Sequence, residues 1–214
     1  MAAADLHLIS RTKRAARSGT RAAAALSGTR PEAGPMAAVE LRPWRESDAE
    51  SLLHALLACP DLRKQFGYGN MSTVAKCLQV IRRQLAICLP STQNFAVSVG
   101  GQALGNVGIS HIEHRLDTGW MHYWLAPEAR GRGLATRAVA SVAGWAFREQ
   151  DLFRLELGHR VNNPASCSVA IRAGFPAEGV ERQKVKEGRH RLDVETHARL
   201  RTDPPPAVEL LPLR

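Results

Sequence analysis

The segment Leu134 to Arg148 constrains the fold most. Its apolar residues Ala135, Ala138, Val139, Val142, Trp145, Ala146 and Phe147 fall on nearly every side of a helix. A helix that is apolar all round must be covered, so this one is predicted to lie buried. The segment just before it has a different period. Phe95, Val97 and Val99 alternate with small or polar residues, and Gly100-Gly101 then turns the chain. A strand continues through Val107 and Ile109, and after Asp117-Thr118-Gly119 another runs from Trp120 to Leu125. Period-two patterning with short turns predicts an antiparallel meander of three strands.

The flanking segments complete the outline. Val39–Arg42 reads as a short strand stopped by Pro43. Ser47-Asp48-Ala49-Glu50 has the form of a capping box ahead of Leu52, Leu53, Leu56 and Leu57, with Cys59-Pro60 as the stop. Val74, Cys77, Leu78, Ile81 and Leu85 recur at three-and-four spacing, which predicts a second helix from Ser72 to about Cys88. Beyond the buried helix, Phe153–Leu157 reads as a strand. Asn163-Pro164 opens a helix that Gly174 closes. Two final strands, near Val180–Val185 and Leu192–Leu200, flank a turn at Gly188. The expected fold class is α+β, with a mixed, mostly antiparallel central sheet flanked by helices. The expected domain spans 37–203, with Asp203 and the prolines after it closing it and 204–214 as a Pro-rich tail.

Charge enters at the next step. The chain has 214 residues and a net charge of +9. Six Lys/Arg and two Asp/Glu lie in residues 1–35, so +5 remains on the rest. That balance suits an anionic ligand or nucleic acid and does not choose between them. The first 36 residues are read as a disordered extension or a misassigned start ahead of Met36. An organellar transit peptide and a nucleic-acid-binding arm are the alternatives. No apolar run reaches the roughly 18 residues of a membrane span. Cys59, Cys77, Cys88 and Cys167 form no CxxC pair, and His111, His114 and His122 have no recognisable metal spacing. Reduced thiols, a cytoplasmic location and no metal are therefore expected.

The strongest local signal is Leu125-Ala126-Pro127-Glu128-Ala129-Arg130-Gly131-Arg132-Gly133-Leu134-Ala135. A strand runs through a glycine-bearing loop into the buried helix. The first amides of a helix lack internal partners and carry partial positive charge, so such a turn can cradle a phosphate or pyrophosphate. Arg130, Arg132 and Arg137 add formal charge. A P-loop would need Lys-Ser/Thr where Leu134-Ala135 stand, and a dinucleotide fingerprint would need a third glycine. Anion binding, a plain structural turn and an RNA-contacting patch all stay open at this point.

Arg130-x-x-Gly133-x-Ala135 resembles the acetyl-CoA signature of the GNAT acetyltransferases. Asn163 to Ala170, followed by Gly174-Phe175, resembles the second motif of the RimJ/RimL-type branch. The opening Leu41-Arg42-Pro43-Trp44 and the stretch Gly188 to Leu200 fit that branch too, so the resemblance covers roughly 38–203. It implies an N-acetyltransferase that moves an acetyl group from acetyl-CoA directly to a primary amine. The amine would be a protein N-terminal α-amine or a small molecule. A CoA-binding regulatory domain without catalysis is the alternative. The resemblance also assigns roles. Amides from Arg130 through Gly131, Arg132, Gly133 and Leu134 to Ala135 would hold the pyrophosphate. Tyr123, Trp124 and Leu125 would pair with the pantetheine arm, and an N–H near Leu125 would polarise the thioester carbonyl. Asn163 would contact the cofactor, or is simply a helix cap. Ser166 would donate a hydrogen bond to the departing thiolate, or is an ordinary first-turn serine.

The attacking amine must be neutral. At pH 7 that is about one α-amine in ten, against about one lysine amine in 2,500. Candidate bases are Glu113, His111, His114 and His122, or a chain of waters. Tyr123 and Trp124 also suit core packing. Expected partners are the amine-bearing substrate and at most a second copy of the chain. No membrane is expected, and the few aromatics sit in apolar patterns rather than among basic residues, which argues against nucleic acid.

Overall fold

The protein is described by a computed structural model covering residues 37–59, 62 and 71–214. The reading of residues 1–36 as an extension lies outside these described residues. In chain order the elements are β1 (Val39–Arg42), a 3-10 turn (Glu46–Asp48), α1 (Ala49–Ala58) and α2 (Val74–Val80), which runs on as a π turn (Ile81–Leu85). Then follow β2 (Gln93–Val99), β3 (Gln102–Glu113), β4 (Thr118–Leu125), a 3-10 turn (Pro127–Ala129) and α3 (Leu134–Glu149). The chain continues through β5 (Arg154–Arg160), α4 (Pro164–Arg172), β6 (Ala177–Glu187) and β7 (His190–Leu200). The seven strands form one sheet in the order β1-β2-β3-β4-β5-β7-β6. Every neighbouring pair is antiparallel except β4 and β5. This is the mixed, mostly antiparallel α+β sheet that the period changes imply.

Strand alternation separates the faces. Phe95 packs edge-on against Trp145 of α3, with ring centroids 5.2 Å apart. Its neighbour Asn94 reaches the other way, donating to the Gln84 carbonyl at the end of α2 (3.2 Å). Successive side chains of a strand point to opposite faces, so α2 and α3 cover opposite faces. The register pairs Phe95 with Val107 and Val107 with Tyr123. Tyr123 therefore looks toward α3, while His122 and Trp124 look toward α1 and α2.

The α1/α2 face holds a buried polar chain. The Trp44 indole donates to Asn106 Oδ1 (2.8 Å), and Asn106 Nδ2 donates to Asn94 Oδ1 (3.0 Å). His122 Nε2 meets that same Asn94 oxygen at 2.9 Å. Since Oδ1 can only accept, Nε2 carries the proton there. Burying these groups is tolerable because each is hydrogen-bonded, and the chain ties β2, β3 and β4 to the segment that follows β1.

Three sequence expectations shift. Ser47 does not open a capping box for α1: the cap position falls to Asp48, whose side chain makes no cap bond. Its carboxylate accepts from the Arg45 backbone N–H (2.8 Å) and holds Arg42 through two 2.8 Å bonds, both side chains being buried. The charge of Arg42 claims the carboxylate, and a 3-10 turn fills the gap before α1. The second helix starts at Thr73, whose hydroxyl accepts from Lys76 N–H, and ends at Leu85 in a π turn rather than at Cys88. The strand expected to start at Phe153 runs from Arg154 to Arg160.

Residues 204–214 lie along the domain. Leu41 N–H donates to Pro212 O (2.8 Å), and Arg214 N–H donates to Leu41 O (2.9 Å). Leu211 is buried, and its N–H donates to Ser141 Oγ of α3 (2.7 Å). This segment covers the outer edge of β1, which would otherwise present unpaired backbone groups.

Candidate active site

β4 and β5 run side by side only at their starts. Thr118, Gly119 and Trp120 pair with Arg154, Leu155 and Glu156, and no pair is formed beyond them. The strands then part, and the far half of β4 is left unpaired on that side. Ala126 N–H donates to Leu104 O, toward β3 (2.8 Å). Backbone groups alternate sides along a strand, so those of Leu125 and Tyr123 face the split. The Leu125 carbonyl already accepts from Arg130 Nε (2.9 Å), which leaves the Leu125 N–H directed into the opening.

A cavity of about 410 Å³ fills this opening. Tyr123, Trp124, Leu125, Arg130, Gly131, Gly133, Leu134, Ala135, Asn163 and Ser166 line it, together with Thr136, Ala165, Ser168, Val169 and Arg172. The structure thus brings together ten of the residues singled out from the sequence. Arg132 is exposed on the turn beside the cavity and is absent from its lining. The lining residues of α4 that the sequence reading missed form a helical stripe beside Ser166. Ala165, Ser168, Val169 and Arg172 share one face of α4 at three-and-four spacing, and Val169 stands three residues from Ser166.

The two helices that open on the cavity start differently. Gly133 is the cap residue of α3. Its φ is +72°, and glycine has no side chain with which to cap the helix's first amides. Gly131 has the same φ, and at neither glycine would a Cβ meet any atom within 4 Å. The glycines are required by left-handed backbone and by open space in front of the amides, not by crowding. The first N–H groups of α3 therefore face the cavity mouth with the positive end of a 16-residue helix behind them. Arg137 does not add its charge there. Its guanidinium holds the Glu209 carbonyl and carboxylate, each at 3.0 Å. Arg130 is likewise turned inward, onto Leu125 O and Cys59 Sγ.

At α4, Asn163 is the cap. Its Oδ1 accepts from Ser166 N–H (3.2 Å), and Pro164 at the first helical position has no N–H to satisfy. Because a backbone N–H can only donate, the amide orientation is decided, and Nδ2 must face Ser166 Oγ, at 2.9 Å. Ser166 Oγ accepts that bond, so its own proton is directed elsewhere. Asn163 and Ser166 are both buried. Beside Ser166 lies the Tyr123 phenol, whose oxygen is buried without a partner in hydrogen-bonding geometry among the described residues. Burial pushes its pKa up to about 12, with the Ser166 hydroxyl pulling the other way. An orphaned buried hydroxyl costs free energy unless something else in the cavity satisfies it.

The candidate bases are not gathered here. Glu113 pairs with Thr118 at the opposite end of β4, five residues from Tyr123, or roughly 17 Å along a strand. His111 and His114 are exposed near the same hairpin. His122 is buried on the other face of the sheet.

Comparison with known proteins fits this geometry. Residues 38–176 match the family described as the acetyltransferase (GNAT) domain. The chain is 37% identical over 84 residues to a probable N-acetyltransferase, YjcK, of Bacillus subtilis, covering 39% of this chain and 46% of that one. It is 29% identical over 89 residues to the ribosomal-protein-serine acetyltransferase of Escherichia coli, covering 42% and 50%. The spermidine N(1)-acetyltransferase of Escherichia coli matches at 29% over 89 residues, covering 42% and 48%. The chain thus spans about half the length of these curated relatives. Among solved structures, the RimL ribosomal L7/L12 α-N-protein acetyltransferase in complex with coenzyme A superposes with a TM-score of 0.69 at 21% identity, covering 76% of this chain and 94% of that one. RimJ of Mycobacterium smegmatis gives 0.65 at 24%, covering 78% and 86%. At these identities the superpositions speak to the fold, and the family match over 38–176 is independent of them. The chain belongs to the GNAT acetyltransferase family.

Proposed function

We propose that this chain transfers an acetyl group from acetyl-CoA to a primary amine, with a free α-amine as the favoured acceptor. One observation carries the reading: the split between β4 and β5 opens onto an uncapped helix start on one side and a positioned serine on the other. The residues present fit acetyl-CoA. The amides from Gly131 to Ala135 would face its pyrophosphate, with Arg132 and Arg172 supplying formal charge. The N–H groups of Tyr123 and Leu125 would pair with the pantetheine arm. The orphaned Tyr123 hydroxyl would gain a polar partner near the thioester. Acetyl-CoA supplies an activated acyl group on a good leaving group.

The chain's own contribution is position and proton placement. The Leu125 N–H is fixed by the strand, so it stabilises developing negative charge on an acyl oxygen at no reorganisation cost. Ser166 accepts from Asn163, so its hydroxyl proton is available to a departing sulfur, with the Tyr123 phenol beside it as the competing acceptor. A thiol has a pKa near 8.5, so its thiolate needs a hydrogen bond more than a full proton.

The acceptor class follows from the missing base. Among the described residues, no carboxylate or imidazole lines the cavity. An amine that must lose its own proton is best served if about one in ten is already neutral at pH 7, as for an α-amine. The relatives named for ribosomal-protein acetylation agree with this choice, and the relative named for spermidine supports the small-molecule alternative.

The test is calorimetric titration of acetyl-CoA into the full chain, with Gly133→Glu as control. Micromolar binding is expected, weakened at least about a hundredfold by a carboxylate and a strained φ at the cradle. Thiol release is then followed with a peptide bearing a free α-amine, the same peptide N-terminally blocked but carrying lysine, and spermidine. Activity only with the free α-amine is expected. Failure of the folded wild-type chain to bind acetyl-CoA would sink the reading. Turnover of spermidine alone would transfer it to polyamines.

A further inference from the structure

Behind the first turn of α4, four side chains from three elements converge. They are His159 of β5, Cys167 of α4, and Glu195 and His197 of β7, and one ligand atom from each lies within 4.8 Å of all the others. The register explains the meeting. His159 is opposite Glu195 and Leu157 is opposite His197, so the three strand residues share one face, and α4 lays Cys167 over it. The two imidazoles are 1–2% exposed.

Their hydrogen bonds turn both Nε2 atoms toward the centre of the cluster. His159 Nδ1 faces the Arg160 carbonyl and His197 Nδ1 faces the Phe175 carbonyl, each at 3.0 Å. A carbonyl can only accept, so each Nδ1 carries a proton and each Nε2 is left to face the cluster. Those two nitrogens face each other at 2.9 Å. Glu195 Oε2 stands 3.1 Å from one and 3.4 Å from the other. The Cys167 thiol is hydrogen-bonded to the same carboxylate, so two ring nitrogens, a carboxylate oxygen and a sulfur crowd one largely buried space. A single proton would satisfy one pair. A metal ion satisfies all of them and also gives Cys167 Sγ its place.

We propose that His159, Cys167, Glu195 and His197 bind a zinc ion as a closed, four-ligand structural site. The donor set suits zinc, which takes nitrogen, sulfur and carboxylate oxygen in tetrahedral sites. A tetrahedron with zinc bonds of about 2.0–2.3 Å has edges of roughly 3.4 Å. The imidazole nitrogens need to open by about half an ångström to reach it. One thiolate and one carboxylate neutralise the ion's two charges. The carbonyl acceptors behind both Nδ1 atoms are the outer partners that fix ligating histidines. The ion would pin the turn that carries Ser166 to β5 and β7. The site goes beyond the proposed acetyl transfer and does not rest on it. It also departs from the sequence-based expectation of no metal, for a clear reason: the four ligands come from segments with no motif spacing.

The experiment uses the full chain, stripped with a chelator, dialysed, and then titrated with Zn²⁺ or Co²⁺. One zinc per chain by elemental analysis is expected, with a raised melting temperature. Cobalt should give the intense visible bands of tetrahedral coordination and a near-ultraviolet thiolate-to-cobalt band. Cys167→Ser should remove the thiolate band and weaken cobalt binding at least about tenfold, while circular dichroism shows the fold intact. Glu195→Gln should keep the band and bind more weakly. If the folded wild-type chain takes up neither metal, the proposal fails. It fails equally if cobalt binds with a spectrum that Cys167→Ser leaves unchanged, since the ion then sits elsewhere.

Discussion

The two helices that meet at the cavity start in opposite ways. α3 begins at a left-handed glycine with no side chain over its amides, whereas α4 begins with a capping asparagine and a proline. An asparagine cap is the more stable start, by roughly a few tenths of a kcal/mol over glycine. Leaving α3 uncapped forgoes that stability and keeps the amides available to an anion. Capping α4 removes its amides from the cavity and turns the cap's second function, the Nδ2 donor, onto Ser166. One helix offers backbone, the other side chains. Each can be tested separately.

The largest effect is expected at Ser166. Ser166→Ala should lower kcat about a hundredfold, the scale of a lost transition-state hydrogen bond in a dry site, with acetyl-CoA affinity little changed. Initial rates of thiol release against an α-amine peptide, together with calorimetric Kd, make the check. If Kd rises and kcat holds, α4 contributes binding rather than chemistry, and the contrast with α3 dissolves.

Asn163 sharpens the contrast, because its two roles can be split. Asn163→Ala removes the cap and should cost about 1 kcal/mol in urea unfolding as well as activity. Asn163→Asp keeps an oxygen for Ser166 N–H, so stability should hold within about 0.5 kcal/mol. Both aspartate oxygens only accept, however, so the Ser166 proton turns away from the cavity. A drop of about tenfold in kcat is expected for Asp with unfolding unchanged. Wild-type kcat in Asn163→Asp would reduce Asn163 to a cap.

The same contrast explains what was legible in the sequence. The glycine turn is a local signal: left-handed backbone, uncapped amides and a buried helix all sit within Arg130 to Arg148, and each leaves its mark on composition. The meander, the buried helix and the Asn163-Pro164 start were legible for the same reason. Asp48 was not, since its carboxylate is claimed by Arg42 and Arg45 through folded contacts that a capping-box pattern does not register. Arg137 and Arg130 read as charges for the cradle. Folding gives them to Glu209, Leu125 and Cys59, a choice made by tertiary geometry. The polar chain Trp44–Asn106–Asn94–His122 joins three strands and the segment after β1, and has no linear pattern. The group His159, Cys167, Glu195 and His197 depends on the register of β5 against β7, which no spacing rule encodes.

The smallest effect is expected at Arg172, the exposed basic residue of α4 that lines the cavity. If α4 contributes side chains in place of amides, this guanidinium supplies part of the attraction that α3 supplies by its dipole. The charge is solvent-exposed, so its attraction for a phosphate is screened over about 10 Å at 0.1 M salt. Arg172→Ala should therefore raise the acetyl-CoA Kd only about threefold at low salt, and the difference from wild type should shrink toward nothing near 1 M. An α3-based cradle has amides fixed at contact distance, so binding by the wild-type chain should lose much less over the same range. If the wild-type chain loses all affinity at high salt, the arginines rather than the helix start hold the phosphates, and the division of labour between the two helices is reversed.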